Sequence, residues 1–207
     1  MPTSPEGTGR ALRRWSRQAR LYDRLTAPME RMLGFEPARE WIFARVPKGR
    51  VLEVGAGTGR NIAHYPAGHV IVASDLSPGM LARAAEKAER AGGACRLVVT
   101  DAEDLAFRDQ AFDAVVATCV FCSVPDPLRG LGEVRRILKA GGAVFLLEHM
   151  RPGGWLGRLF DLVDPIASRL MGPHLNRRTL DTVRQAGLVV VEERRVFSDW
   201  IKIIVAR

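Results

Sequence analysis

Residues 51–60 read VLEVGAGTGR, an apolar run that breaks into glycines at the alternate positions Gly55, Gly57 and Gly59. Glycine leaves the backbone bare and free to adopt conformations closed to other residues, so this spacing suits a ligand pressed against main chain. Arg60 stands where a G-x-G-x-x-G run would place its third glycine, and Glu53 precedes the run. A pyrophosphate is poorly served by that pattern; a ligand carrying positive charge is better served. Two further carboxylates end short apolar runs, Asp75 in HVIVASD and Asp101 in CRLVVTD. Asp75 is placed to accept hydrogen bonds from both hydroxyls of a ribose, and Asp101 to meet an exocyclic amine at the far end of the same crevice.

These groups meet only if strand ends bring them together. GRVLEVG, HVIVASD, CRLVVTD, FDAVVATCV and GAVFLLEH are short, rich in Val and Leu, and bounded by Gly, Asp or Pro, which predicts five strands. Helical patterns separate them, as at Met80, Leu81, Ala84, Ala85 and Ala88 and at Leu128, Leu131, Val134, Ile137 and Leu138. Such alternation predicts an α/β fold, parallel strands with helices on both faces. Ligands of open α/β sheets bind beyond the carboxyl ends of the strands, so Glu53, Asp75 and Asp101 would face one cleft. After residue 150 come a helical stretch interrupted by Pro and Gly (151–176), another helix (RRTLDTVRQAGL), and two strands (VVVEERRVF and WIKIIVAR).

The chain is read as one domain over residues 1–207, with 46–150 as its ligand-binding core and 151–207 as a second-substrate segment and the final strands. Residues 1–9 lack periodicity and are expected to be a disordered tail. Residues 10–45 are expected to form a helical lid. Within it, Arg10 to about Leu25 reads as one helix with Leu12, Trp15, Ala19 and Tyr22 on one stripe and Arg13, Arg17, Arg20 and Arg24 on another. A second helix is expected near Pro37 to Arg45. The first helix is read as folding over its own domain; the alternative is contact of residues 10–25 with an anionic membrane surface.

Composition narrows the class. The chain has 207 residues and a net charge of +8, and residues 1–50 hold eleven Lys or Arg against five Asp or Glu. No apolar stretch approaches the roughly 18 to 20 residues of a membrane span, and the N-terminus lacks an apolar signal core, so a cytoplasmic protein is expected, with peripheral attachment to the inner face of the membrane as the variant. The arginines are not interleaved with aromatics, which disfavours a nucleic acid partner. Cys119 and Cys122 form a C-x-x-C with no second pair of metal ligands, so no metal is expected and the cysteines are read as buried thiols.

VLEVGAGTGR, ASDLSPGML, DAEDLAF, FDAVVATCVF and EVRRILKAGG resemble, in order and spacing, the motifs of class I S-adenosylmethionine-dependent methyltransferases across roughly residues 45–150. The resemblance implies a Rossmann-like seven-stranded sheet, mostly parallel, with an antiparallel last strand. It also implies S-adenosylmethionine as cofactor, S-adenosylhomocysteine as product, and a site that includes Glu53 and Asn61. Gly55, Ala56, Gly57 and Gly59 would lie against the methionine part, with Asp75 on the ribose. Leu76 and Met80 would flank the adenine, Asp101, Ala102 and Glu103 would lie near its amine, and Thr118 and Cys119 would stand beside the cofactor.

A narrower set, GTGRNIAHYP, CVFCSVPDP, LLEHMRP, LFDLVDP and GPHLNRRTL, resembles thiol S-methyltransferases of the animal methyltransferase-like group and their bacterial relatives, without the long apolar anchor of the animal members. The broader neighbourhood includes quinone C-methyltransferases and phosphatidylethanolamine N-methyltransferases. The acceptor expected is therefore a small molecule, a thiol or a lipid-like compound, with Glu148, His149 and Tyr22 as candidate catalytic groups. His149 is the candidate proton acceptor, since an imidazole titrates near working pH. Asp164, His174 and Asn176 are candidates for the acceptor pocket. An RNA or protein methyltransferase and a non-catalytic cofactor-binding protein are the alternatives from other classes.

Overall fold

The computed structural model describes residues 5–19, 21–93 and 95–207. Its strands are β1 (Arg50–Val54), β2 (Val70–Asp75), β3 (Arg96–Val99), β4 (Phe112–Thr118), β5 (Leu138–His149), β6 (Val190–Phe197) and β7 (Ile201–Ala206). They form one sheet in the order β3-β2-β1-β4-β5-β7-β6. The first five pair in parallel, whereas β7 runs antiparallel between β5 and β6. The seven-stranded sheet and its antiparallel last strand are as the resemblance implies. Registers such as Val54 with Ser74 and Ala117, and Asp75 with Val99, bring the carboxyl ends of β1 to β4 to one edge.

Both faces of the central strands are covered, which is why β2, β4 and β7 are largely apolar, whereas the edge strand β6 is mostly exposed and carries Glu192, Glu193, Arg194 and Arg195. On one face Leu52, Val115, Leu146 and Ile204 pack with Leu131 and Val134 of α5 (Pro127–Ile137) and Val183 of α7 (Thr179–Gln185). On the other, Val51, Val116, Phe145 and Ile203 pack with Ile42 and Phe43 of α3 (Phe35–Phe43). The helix after β2, α4 (Pro78–Arg90), starts where Ser77 accepts a hydrogen bond from the Met80 N–H and Pro78 fills the first position, a pairing that satisfies one orphan donor and needs no other.

The N-terminal region departs from expectation. Helix α1 (Pro5–Gln18) begins before Arg10, so residues 5–9 are helical rather than a tail, and residues 1–4 lie outside the described residues. The single helix expected to Leu25 is two, because α2 (Tyr22–Met32) follows a break; Arg20 lies outside the described residues. The break lets α1 cross α4 while α2 packs on α3, and burial of those separate contacts outweighs helical continuity. The second helix starts at Phe35, behind Gly34 at φ 77°. Pro165 does not interrupt α6 (Gly154–Met171); it sits on an exposed face, where water can replace the lost backbone bond.

Leu146 is fully buried in a central strand. Leu146→Ala is expected to lower the free energy of unfolding by about 2 to 5 kcal/mol, read from urea unfolding followed by circular dichroism. A loss well below that range would show that this face is loosely packed.

Candidate functional site

A cavity of about 120 Å³ lies at the shared strand edge, lined by Gly55, Gly57, Asp75, Leu76, Met80, Asp101, Ala102, Thr118 and Cys119 among others. Its roof comes from the N-terminus: Thr8, Ala11, Trp15 and Tyr22 line it as well. Thr8 was expected in the tail, yet it continues the stripe of Ala11 and Trp15 at helical spacing, the one signal that could have found it. The roof is tied down at three places. Thr8 Oγ1 donates to Asp101 Oδ2 at 3.2 Å, Ser16 and Ser77 share a hydroxyl hydrogen bond of 2.9 Å, and Arg14 donates to the Ser168 and Arg169 carbonyls.

The glycines have separate duties. A Cβ on Gly55, at φ 67°, would lie 2.4 Å from Val120 Cγ2, so its absence seats the loop after β4. A Cβ on Gly57, at φ 56°, would meet nothing within 4 Å, and the Gly57 N–H donates to Asp75 Oδ2 at 2.9 Å. The other oxygen of Asp75 accepts from the Ser77 N–H at 2.8 Å. Burial raises the pKa of Asp75, opposed by those two N–H donors. Gly59 lies outside this cavity, packed on Ile62 and Ala84.

Several expected cofactor residues lie beneath the site instead of lining it. Glu53 is buried, accepting from Asn61 Nδ2 at 2.8 Å and from the Tyr65 hydroxyl. Burial, opposed by those two donors, pushes its carboxyl up to about 7. Asn61 also donates to Thr118 Oγ1 and accepts from Arg39 Nε. Ala56 is buried in the turn, and Glu103 accepts from the Asp126 N–H. Sequence reasoning missed the ties of α2: Asp23 accepts from Thr58, Arg60 and Lys87 at 2.6 to 2.8 Å, and Glu30 pairs with Arg39 and Arg60. Although desolvation opposes it, those donors, Lys87 foremost, hold Asp23 down to about 2.

The candidate catalytic groups divide. Tyr22 lines the cavity, with the Trp15 ring edge-on at 6.0 Å, and burial pushes its hydroxyl up. Glu148 and His149 were expected to face the cleft, but neither lines the cavity. Glu148 is fully buried, and its Oε1 accepts the Val120 and Phe121 N–H groups at 2.8 and 2.9 Å. Burial, opposed by those donors, raises it to about 7. His149 Nδ1 is buried without a partner, and burial lowers the imidazole to about 4. Asp164 is a buried residue within α6, not the turn residue its Pro165 neighbour suggests; it accepts from His174 Nδ1 at 2.8 Å and from the Leu175 N–H at 2.6 Å. The His174 N–H donates to the Cys122 carbonyl, one residue from Ser123 in the cavity wall. Asn176 neither caps α7, whose N-cap is Arg178, nor joins this pair; its side chain bonds Asp161. Among the described residues no cluster of His, Cys, Asp and Glu could hold a metal ion.

Residues 52–146 match a protein family described as a methyltransferase domain. The chain is 42% identical over 103 residues to a phosphatidylethanolamine N-methyltransferase of Cereibacter sphaeroides, covering 49% of this chain and 51% of that one. It is 34% identical over 143 residues to a thiol S-methyltransferase of Rattus norvegicus, covering 66% of this chain and 58% of the relative. The chain thus spans about half the length of the curated relatives it matches. A crystal structure of a SAM-dependent methyltransferase from Thermotoga maritima superposes with a TM-score of 0.71 at 22% identity, over 93% of this chain and 97% of that one, a likeness of fold.

Glu53 and Glu148 both titrate higher folded than unfolded. Their contribution to stability is therefore fully present below the ordinary carboxylate value of 4.5 and is lost as pH rises to about 7. Glu148→Gln keeps an acceptor for Val120 and Phe121 and is expected to remove up to about 3 kcal/mol of the pH-dependent loss between those limits, read from urea midpoints across that range. Equal pH dependence of the two proteins would contradict the shift.

Proposed function

From a chain whose residues 52–146 match a family described as a methyltransferase domain, we propose S-adenosylmethionine-dependent transfer of a methyl group to a small molecule, a thiol or a lipid-like acceptor. The charge of the cavity carries this reading. In a protein of net charge +8, the only charged residues lining the cavity, among the described residues, are Asp75 and Asp101. Such a site attracts a cation and repels a pyrophosphate. When bound, the cofactor supplies an electrophilic methyl carbon on a sulfonium, displaced in line by a nucleophile roughly 3 to 3.5 Å away.

Asp75, fixed by the Gly57 and Ser77 N–H groups, keeps lone pairs for two ribose hydroxyls. Asp101 serves the adenine amine, Leu76 and Met80 its faces, and the open side of Gly57 the methionine part. Trp15 and Tyr22 bring aromatic rings to the wall beside the sulfonium, with the Arg60 guanidinium already over the Tyr22 ring at 5.6 Å. At about 120 Å³ the cavity is smaller than the roughly 300 to 1,000 Å³ of pockets for ligands of this size. Helix α1 is therefore a lid that shifts to admit the ligand and then excludes water. Because Trp15 lines the cavity and Ala19 is buried, a lipid contact of residues 10–25 would fall to Arg13, Arg17 and Arg24 and to the exposed Leu21 and Leu25.

A thiol needs little help as a nucleophile, whereas an ammonium must first lose a proton. His149, lowered to about 4, is a weak proton acceptor at neutral pH. His174 is the better candidate: Asp164 accepts from its Nδ1–H, which leaves the Nε2 lone pair for an acceptor proton. Cys119 and Cys122 are assigned packing, since burial raises both thiols well above their ordinary value.

Labelled methyl transfer from S-adenosylmethionine to a small alkyl thiol and to phosphatidylethanolamine liposomes tests the proposal; label is expected in one of them, and cofactor binding with no label in either would overturn it. Asp75→Ala is expected to weaken cofactor binding about tenfold through lost hydrogen bonds worth roughly 0.5 to 1.5 kcal/mol each, read by calorimetry. His174→Gln is expected to lower kcat roughly 100-fold for an amine acceptor and less for a thiol, and an equal loss for both would remove it as a base.

A further inference from the structure

Two helices present apolar side chains to solvent in the same arrangement. On α6, Trp155, Leu159, Leu162, Val163 and Ile166 are all exposed, Trp155 at 76% and Leu162 at 75%. At 3.6 residues per turn they fall within an arc of about 100°, with Arg158 and Arg169 within about 60° of Trp155 on one flank. On α2 and its N-cap, Leu21, Leu25, Met29 and Met32 are exposed, Leu25 at 71% and Met32 at 72%. They span about 80°, and Arg24 and Arg31 flank them on one side in the same way.

The carboxylates of both helices are paired. On α6, Asp161 is paired with Arg151, and Asp164 is buried against His174. On α2, Asp23 is paired with Arg60 and Lys87, and Glu30 with Arg39 and Arg60. What each helix leaves in water is a row of large apolar groups edged by arginine. Residues 10–32 as a whole hold seven arginines against Asp23 and Glu30.

We infer that the exposed faces of α6 and α2 dock the protein on an anionic bilayer surface, with Trp155, Leu159, Leu162 and Ile166 in the acyl boundary and Arg158 and Arg169 at the headgroups. Apolar burial and attraction to anionic lipid add in such a contact. No helix among the described residues is long and apolar enough to cross a membrane, so the contact is interfacial. A second copy of the chain fits worse. A two-fold contact along α6 would set the same arginine-flanked row against itself, in a protein that already carries +8. The trapped apolar row also lies on the helix that supplies Asp164, which joins the docking face to the proposed acceptor side of the site. The inference concerns where the protein binds and holds whichever acceptor it methylates.

Co-sedimentation of the full chain with vesicles of equimolar phosphatidylglycerol and phosphatidylcholine, and with phosphatidylcholine alone, tests it. Binding is expected to the anionic vesicles and to weaken with added salt. The double variant Leu162→Glu, Ile166→Glu is expected to lower binding at least about tenfold, and Arg158→Glu with Arg169→Glu to do the same at low salt, with unchanged melting temperature and cofactor binding. Vesicles should also blue-shift the tryptophan emission, an effect lost in Trp155→Phe. Absence of binding, binding indifferent to both double variants, or a dimer in sedimentation velocity that Leu162→Glu, Ile166→Glu dissociates would each overturn the inference.

Discussion

The site depends on the guanidinium of Arg60. It bonds the Asp23 carboxylate and carbonyl, the Thr26 hydroxyl and the Glu30 carboxylate, while Glu30 also takes Arg39, and Arg39 takes Asn61. Asn61 in turn holds Glu53 and Thr118. This chain of contacts runs from α2, under the glycine turn, to the ends of β1 and β4. Arg39 and Glu30 are buried, where a charge left without its partner is costly, so the network holds the turn in one arrangement. That arrangement aims the Gly57 N–H at Asp75 and leaves the other side of Gly57 open.

Charge is sorted by depth and by face. Arginines serve the frame as Arg39 and Arg60 do, or stand in water on α1, α2 and α6, whereas the charged groups of the cavity lining among the described residues are the carboxylates of Asp75 and Asp101. Asp75 carries a desolvation penalty, opposed by two backbone N–H groups. A strongly basic chain thereby maintains a locally negative crevice, which the net charge of +8 would not suggest. The same sorting leaves the free charge on the exposed apolar helices entirely positive.

Two carboxylates near the site hold loops instead of facing a ligand. Glu148 receives the N–H groups of Val120 and Phe121, and so sets the segment after β4 that Cys119, at φ 53°, turns away from the strand. Glu103 does the same for the start of α5 through the Asp126 N–H. A buried carboxylate that accepts backbone donors satisfies groups that no secondary structure reaches. Helix α1 rests on that fixed floor, with Thr8 on Asp101 and Ser16 on Ser77.

The sheet and its order of elements were legible in the sequence because they rest on local signals: apolar runs of strand length, glycine and aspartate at their ends, and helical spacing between them. The edge that holds Gly57, Asp75 and Asp101 was legible for the same reason, since strand ends in a parallel sheet share one side. The N-terminus was not. Whether Thr8 belongs to a tail or a helix, and whether the stripe of Trp15 meets lipid or its own domain, depends on surfaces of α4 and α6 far away in the chain. Nor could spacing separate the acids that face a ligand from those that clamp a loop. Glu53 and Glu148 each end an apolar strand much as Asp75 does, and only the packing behind them turned both inward, because direction about a strand end is set by which neighbour offers the N–H or the hydroxyl. The pairing of Asp164 with His174 and the choice of α6 as the exposed apolar face are tertiary in the same sense: they follow from which side of that helix is turned toward the rest of the protein.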